Sequence, residues 1–207
     1  MSSRPRRRGR CTRSSWRRRP LSGAARHATS PFVGREEEGD RLAGAWRAAA
    51  RGGARFVLVS GEAGAGKTRL VDELRVRVNA VAVEARAYPA EGTIAYGVVA
   101  AWLRSRPVSA RLPRLNRAEL TELSRLLPEL GGGAAPPEPV SEAELRRRLP
   151  RAIGRALLNA GAPLLLVVDD AQWADAQSLR LIHYLVRAAP SARLLVAATA
   201  RREDLDA

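Results

Sequence analysis

Gly61-Glu62-Ala63-Gly64-Ala65-Gly66-Lys67-Thr68 sets glycines, a lysine and a hydroxyl at the spacing G-x-x-x-x-G-K-[ST]. Gly61, Gly64 and Gly66 let the backbone curl until successive N–H groups, those of Glu62, Ala63 and Ala65 among them, point inward as an anion nest. A helix starting directly after the loop adds partial positive charge. Lys67 then reaches the β- and γ-phosphates of a nucleoside triphosphate, and the Thr68 hydroxyl coordinates Mg²⁺. Of the 36 lysines and arginines in the chain, Lys67 is the only lysine. A compact ammonium on a flexible stem does at that position what a planar guanidinium does badly. The competing reading is a glycine-rich turn before a basic helix.

Magnesium at such a loop needs a carboxylate at the end of a neighbouring strand. Leu164-Leu165-Leu166-Val167-Val168-Asp169-Asp170 supplies one. Asp169 is the expected Mg²⁺ partner, and Asp170 is placed to orient or deprotonate an attacking water. Strand-end aspartates also serve as helix caps. A second apolar run, Arg193 to Thr199, ends in Thr199-Ala200-Arg201. The carboxyl ends of strands face the ligand in open α/β sheets, so Thr199 is a candidate to sense the γ-phosphate or its water. Arg201 is a candidate to pair with phosphate charge. A solvated strand terminus accounts for the same two residues equally well.

The elements that must position these groups alternate along the chain. Helices are expected over 36–50, 67–78, 96–104, 117–127, 141–160 and 176–188, and strands over 56–60, 80–85, 164–168 and 193–199. Ser141-Glu142-Ala143-Glu144 fits a capping box. Pro150 is expected to kink its helix or split it in two. Continuous apolar strands separated by helices indicate a parallel sheet covered on both faces, a three-layer α/β sandwich.

Residues 1–30 hold ten arginines and no acid, so the rest of the chain sets 26 bases against 21 acids. The formal charge of +15 therefore belongs mostly to this segment. It lacks hydrophobic periodicity and reads as a disordered basic tail, with residues 31–207 as the folded domain. A solvated extension and a basic arm for nucleic acid or an anionic membrane both fit it. The single Cys11 excludes an internal disulfide, and with only His27 and His183 beside it a zinc site is not expected. No apolar run approaches the ~20 residues of a membrane span, which makes a cytoplasmic location the expectation.

Ser30-Pro31-Phe32-Val33-Gly34-Arg35-Glu36, the loop 61–68, Asp169-Asp170-Ala171-Gln172-Trp173-Ala174-Asp175 and Thr199-Ala200-Arg201 follow one another in an order seen elsewhere. In them the chain resembles the origin-recognition-like AAA ATPase modules (P-loop NTPases of the STAND type) at the front of large bacterial LuxR-type transcriptional regulators. The likeness spans residues 30–206. It implies ATP and Mg²⁺ as ligands, ADP as product, and a nucleotide switch with self-association. Phe32, Val33, Gly34 and Arg35 would line the adenine side, Arg201 would be the sensor arginine, and Trp173 would pack the turn after the acidic pair. It also implies a fifth strand and a helical lid that this chain does not contain, which leaves 56–60 at a sheet edge. DNA is implied as a partner through a missing effector, or through the basic tail. The chain then reads as a fragment of a larger frame or a degraded gene, with slow or absent hydrolysis. The alternatives are a nucleic-acid-binding protein acting through residues 1–30 and an inactive remnant.

Replacing Lys67 by alanine is expected to abolish detectable Mg-ATP binding while the fold survives, since a charge-assisted phosphate contact contributes about 1.5–3 kcal/mol. Titration calorimetry on the folded variant checks this; unchanged affinity would sink the assignment of residues 61–68.

Overall fold

The computed structural model describes residues 34–91, 94–131, 138–159 and 161–204. The basic segment 1–30 and the candidates Phe32 and Val33 lie outside the described residues.

Four strands build the sheet: β1 (Arg55–Gly61), β2 (Val81–Arg86), β3 (Leu164–Asp169) and β4 (Leu194–Arg201). All pair in parallel in the order β1-β4-β3-β2. β3 and β4 are central, and every residue of β3 is buried. Their unbroken apolar runs follow from having helices on both faces, where an alternating strand would bury its polar side.

Helices α1 (Glu36–Ala50) and α2 (Lys67–Arg77) cover one face. Three acids in the first turn of α1 and Arg47 in its last turn complement the helix dipole. Leu42, Trp46 and Ala49 of α1 and Leu70, Val71 and Leu74 of α2 pack on Leu165 and Val167 of β3 and Leu195 and Ala197 of β4. The opposite face carries the long segment between β2 and β3: α3 (Gly97–Arg104), α4 (Arg106–Ser109), α5 (Arg117–Leu123) and α6 (Glu142–Leu158). α7 (Ala176–Ala188) joins it there. Their core residues, Trp102, Leu103, Ile153, Leu157 and Leu185 among them, pack on Leu166, Val168, Val196 and Ala198.

Three local expectations needed correction. α6 runs unbroken through Pro150. Proline removes one helical hydrogen bond, but Leu149, Ala152, Ile153, Ala156 and Leu157 are buried on either side of it and keep the helix from splitting in two. The Ser141 cap is only half a box: Glu144 N donates to Ser141 Oγ at 3.3 Å, while Glu144 Oε2 meets the Ser141 hydroxyl rather than its backbone. The complete box belongs to α5, where Glu119 N donates to Asn116 Oδ1 (2.8 Å) and Asn116 N donates to Glu119 Oε2 (3.1 Å). The helix expected over 117–127 closes at Leu123, and Leu127 is buried from the following turn.

β1 lies at the sheet edge. Val57 and Val59 face α1 and α2, whereas Phe56 and Leu58, pointing to the other face, are 45% and 42% exposed.

Trp102 in α3 is fully buried, and its Nε1 donates to the Val167 carbonyl of β3 at 3.0 Å. Trp102→Ala is expected to cost about 3–5 kcal/mol, read as a lower urea midpoint. Trp102→Phe should cost about 1–2 kcal/mol, through the lost indole hydrogen bond and the smaller ring. A cost below about 0.5 kcal/mol for Trp102→Phe, the range of an ordinary surface substitution, would mean that the indole hydrogen bond contributes nothing.

Candidate functional site

The loop that sequence reading singled out connects β1 to α2 across the carboxyl end of the sheet. Gly64 (φ 75°) and Gly66 (φ 74°) adopt the left-handed conformation, and Gly66 is the residue before α2. Neither would bring a Cβ within 4 Å of another atom, so glycine is needed there for its backbone freedom rather than for space. Gly61 does not share that conformation. It ends β1, and a Cβ there would sit 3.7 Å from Ala65, an ordinary contact. Its part in the curl is thus smaller than the spacing suggested. Glu62, Ala63 and Ala65 complete the loop, with Ala65 N donating to the Glu62 carbonyl at 3.2 Å. Lys67 is buried, and its Nζ donates to the carbonyls of Gly61 (3.0 Å) and Glu62 (2.8 Å). The ammonium is thereby held along the loop rather than drawn off to a carboxylate.

Thr68 sits one residue into α2, and its hydroxyl donates to Asp169 Oδ1 at 2.8 Å. The same oxygen accepts the Thr199 hydroxyl at 2.6 Å. Asp169 is 5% and Thr199 1% exposed. Strand periodicity explains the meeting: Asp169 follows Leu165 and Val167, and Thr199 follows Leu195 and Ala197, on the face that α1 and α2 cover. Register then sets the two side by side, one step beyond the Val168–Ala198 pair.

Asp170 takes a left-handed backbone (φ 56°), uncommon outside glycine, and three contacts hold it there. Its N–H donates to Thr199 Oγ1 at 3.0 Å, its carbonyl accepts from Trp173 N at 3.0 Å, and its carboxylate accepts from Arg86 Nη2 at 2.9 Å. Arg86 Nε also lies 3.9 Å from Asp169. The Asp170 hydrogen bond pushes the Arg86 guanidinium above its usual range, and the guanidinium lies over the Tyr88 ring at 5.7 Å. Arg86 is the site residue that sequence reading missed. A base at the carboxyl end of a predicted strand was visible, but its pairing with Asp169 in the β2–β3 register was not.

Arg201 pairs with Gly61 in register and is exposed on the Thr199 face, at the root of the loop. Its N–H meets Gln172 Oε1 at 3.4 Å. Gly34 and Arg35 lie at the start of α1, where Gly34 N donates to Glu36 Oε1 at 3.3 Å. Among the described residues no hydrogen bond joins these two to residues 61–68. Trp173, expected to pack its turn, is 36% exposed. Asp175 does the anchoring: it accepts from Ser178 N and Oγ as the cap of α7, and from Tyr96 N at 2.8 Å, tying the start of α3 to that turn.

Loop, ammonium, hydroxyl and carboxylate therefore share one end of the sheet. Thr68 Oγ1 and Asp169 Oδ1 are hard oxygen donors in contact with each other, which fits Mg²⁺ held by few protein ligands and completed by phosphate and water. Among the described residues no cluster of three or more His, Cys, Asp or Glu could form an all-protein cage.

The AAA ATPase domain family matches residues 31–197. Comparison with curated proteins returns no match. Among solved structures the chain is similar to Cdc6p from Pyrobaculum aerophilum, at 18% identity and a TM-score of 0.48, over 88% of this chain and 43% of that one. It thus spans less than half of that relative's length.

Thr199→Val keeps the shape of the side chain but leaves the half-buried Asp170 N–H without its partner and Asp169 Oδ1 with one fewer. A loss of about 2 kcal/mol is expected in urea unfolding. A change below about 0.5 kcal/mol, the range of an ordinary surface substitution, would remove Thr199 from this network.

Proposed function

The chain belongs to the AAA ATPase domain family, and we propose that it binds ATP at residues 61–68, with Mg²⁺ held by Thr68 and Asp169, as a nucleotide switch. The observation that carries this reading is the pair of hydroxyls, Thr68 and Thr199, meeting on the buried Asp169 carboxylate from two other segments of the chain. In this reading the Lys67 ammonium exchanges its loop carbonyls for phosphate oxygens, and the loop N–H groups hold the rest of the polyphosphate charge. Bound Mg²⁺ supplies positive charge that polarises the phosphoryl oxygens. Asp170 orients or deprotonates the attacking water, and Thr199 keeps its backbone in place. Arg86 competes for the Asp170 carboxylate, which makes it a restraint on hydrolysis. Arg201, beside Gly61, offsets charge on the phosphates, and Gly34 and Arg35, with Phe32 and Val33 before them, are assigned to the base.

The wider role we assign is that of a cytoplasmic regulatory module of the STAND type, as in LuxR-type regulators, responding to ATP against ADP and self-associating with nucleotide. The Asp169-Asp170-Ala171-Gln172-Trp173-Ala174-Asp175 stretch supports it. No described helix is long and apolar enough to cross a membrane. Nucleic acid is a second partner class for residues 1–30, on the strength of ten arginines with no acid; duplex binding that survives removal of those residues would reject that assignment.

Titration with ATP and ADP, with and without Mg²⁺, tests the site as a whole. Asp169→Ala is expected to weaken Mg²⁺-dependent binding by roughly tenfold or more, on the scale of one lost charge-assisted contact. Asp170→Asn should spare binding and remove hydrolysis, and Arg86→Ala should leave affinity within about twofold, since an exposed ion pair contributes little. Equal losses of affinity in the Asp169 and Asp170 variants would mean that their roles are wrongly divided.

A further inference from the structure

At the amino-terminal end of the sheet, opposite the loop 61–68, a cavity of about 760 Å³ opens between the start of α5 and the last turns of α6 and α7. It shares no residue with the candidate nucleotide site. Its floor is apolar. Leu158 and Leu185 line it beside Gly154, where a Cβ would come within 3.3 Å of Leu185 Cδ2, so α6 and α7 approach closely because that residue is glycine.

The walls are cationic. Arg114, Arg151 and Arg155 line the cavity. Neither Arg114 nor Arg151 makes an ion pair among the described residues. Arg155 Nε reaches Glu119 Oε1 only at 3.7 Å, while the other oxygen of Glu119 accepts from Asn116 N in the α5 capping box. Three guanidiniums against one already engaged carboxylate leave a local charge near +2. The charge is also regional. Residues 87–163, between β2 and β3, hold 11 bases and 7 acids, most of the excess carried by the chain after residue 30. Tyr184 also lines the cavity and is 37% exposed, so an aromatic ring is available there to a ligand.

We propose that this cavity is a second ligand site, for a small phosphate monoester with an apolar or aromatic body. Its volume lies within the ~300–1,000 Å³ of small-molecule sites. A phosphate monoester carries about −1.5 to −2 at neutral pH, which matches the wall where a monocarboxylate would leave one guanidinium uncompensated. Planar guanidiniums bind such oxygens in bidentate fashion. Tyr184 and the leucine floor take the body of the ligand. This inference owes nothing to the nucleotide reading of residues 61–68.

The test is amide chemical-shift mapping on the full chain, titrated separately with phenyl phosphate, inorganic phosphate and benzoate. Phenyl phosphate is expected to shift residues 114–119, 150–158 and 184–189 saturably, and at least fivefold more tightly than either of the others. Arg114→Gln/Arg151→Gln should weaken it tenfold or more, and Tyr184→Ala should remove its advantage over inorganic phosphate. A spectrum of the double variant unchanged outside the cavity shows that the fold persists; if that variant unfolds, Arg151→Gln alone replaces it, with a threefold loss expected. Shifts confined to residues 61–68, no saturable shift, or equal affinity in the variants would overturn the proposal. So would tighter binding of an oligoglutamate peptide than of phenyl phosphate, which would identify the cavity as a contact for an acidic protein segment.

Discussion

Asp169 sits 5% exposed at the carboxyl end of the most apolar strand, with two hydroxyls on one of its oxygens. A carboxylate so placed would be costly if left bare, and each hydrogen bond it accepts lowers that cost. Three segments must converge to satisfy it: the first turn of α2 bringing Thr68, the end of β4 bringing Thr199, and β3 itself. That requirement couples sheet order to loop geometry. β4 has to lie beside β3, and the chain leaving β1 has to turn sharply enough for α2 to start against β3. Gly64 and Gly66 make that turn in left-handed conformations that other residues rarely adopt.

The two helical layers support this end of the sheet unequally. α1 and α2 bury one face of the central strands and half of β1. The opposite layer, anchored by Trp102 on the Val167 carbonyl, backs β3 two residues before Asp169. It does not shield Phe56 and Leu58, so β1 is held firmly by β4 and by one face only. An edge strand with exposed apolar side chains carries a tendency to pair with other chains. The strand that leads into the loop is therefore the least covered of the four.

Charge is distributed with a similar division of labour. Five arginines of the described helices, Arg41, Arg75, Arg77, Arg146 and Arg148, pair with acids three or four residues away, and such surface pairs contribute only tenths of a kcal/mol. Arg86 differs because it joins two strands: it pairs with Asp170 while Ala87 N donates to the Asp169 carbonyl at 2.9 Å. Arg86 thereby helps brace the left-handed backbone of Asp170, which two further residues, Thr199 and Trp173, hold by its N–H and carbonyl.

Local chemistry made much of this legible before any coordinates. The spacing of glycines and lysine in 61–68, the apolar run into Asp169-Asp170, and helices such as Glu36–Ala50 and Ala176–Ala188 depend on neighbours in the chain, so periodicity and residue type were enough to find them. The uninterrupted strands indicated a parallel sheet for the same reason. What only the tertiary structure decided are relations across long separations. Which strands adjoin, and hence that Arg86 faces Asp170 and Thr199 meets Asp169, is a matter of register, which no local pattern encodes. The unbroken α6 depends on burial on both sides of Pro150, and the arginine-lined cavity exists only because Gly154 lets α6 and α7 close on each other while Arg114 arrives from a third segment. Propensity and spacing act within a turn or two of helix or along one strand; packing brings residues dozens of positions apart into contact, and the energies of those contacts settle what the local pattern leaves open.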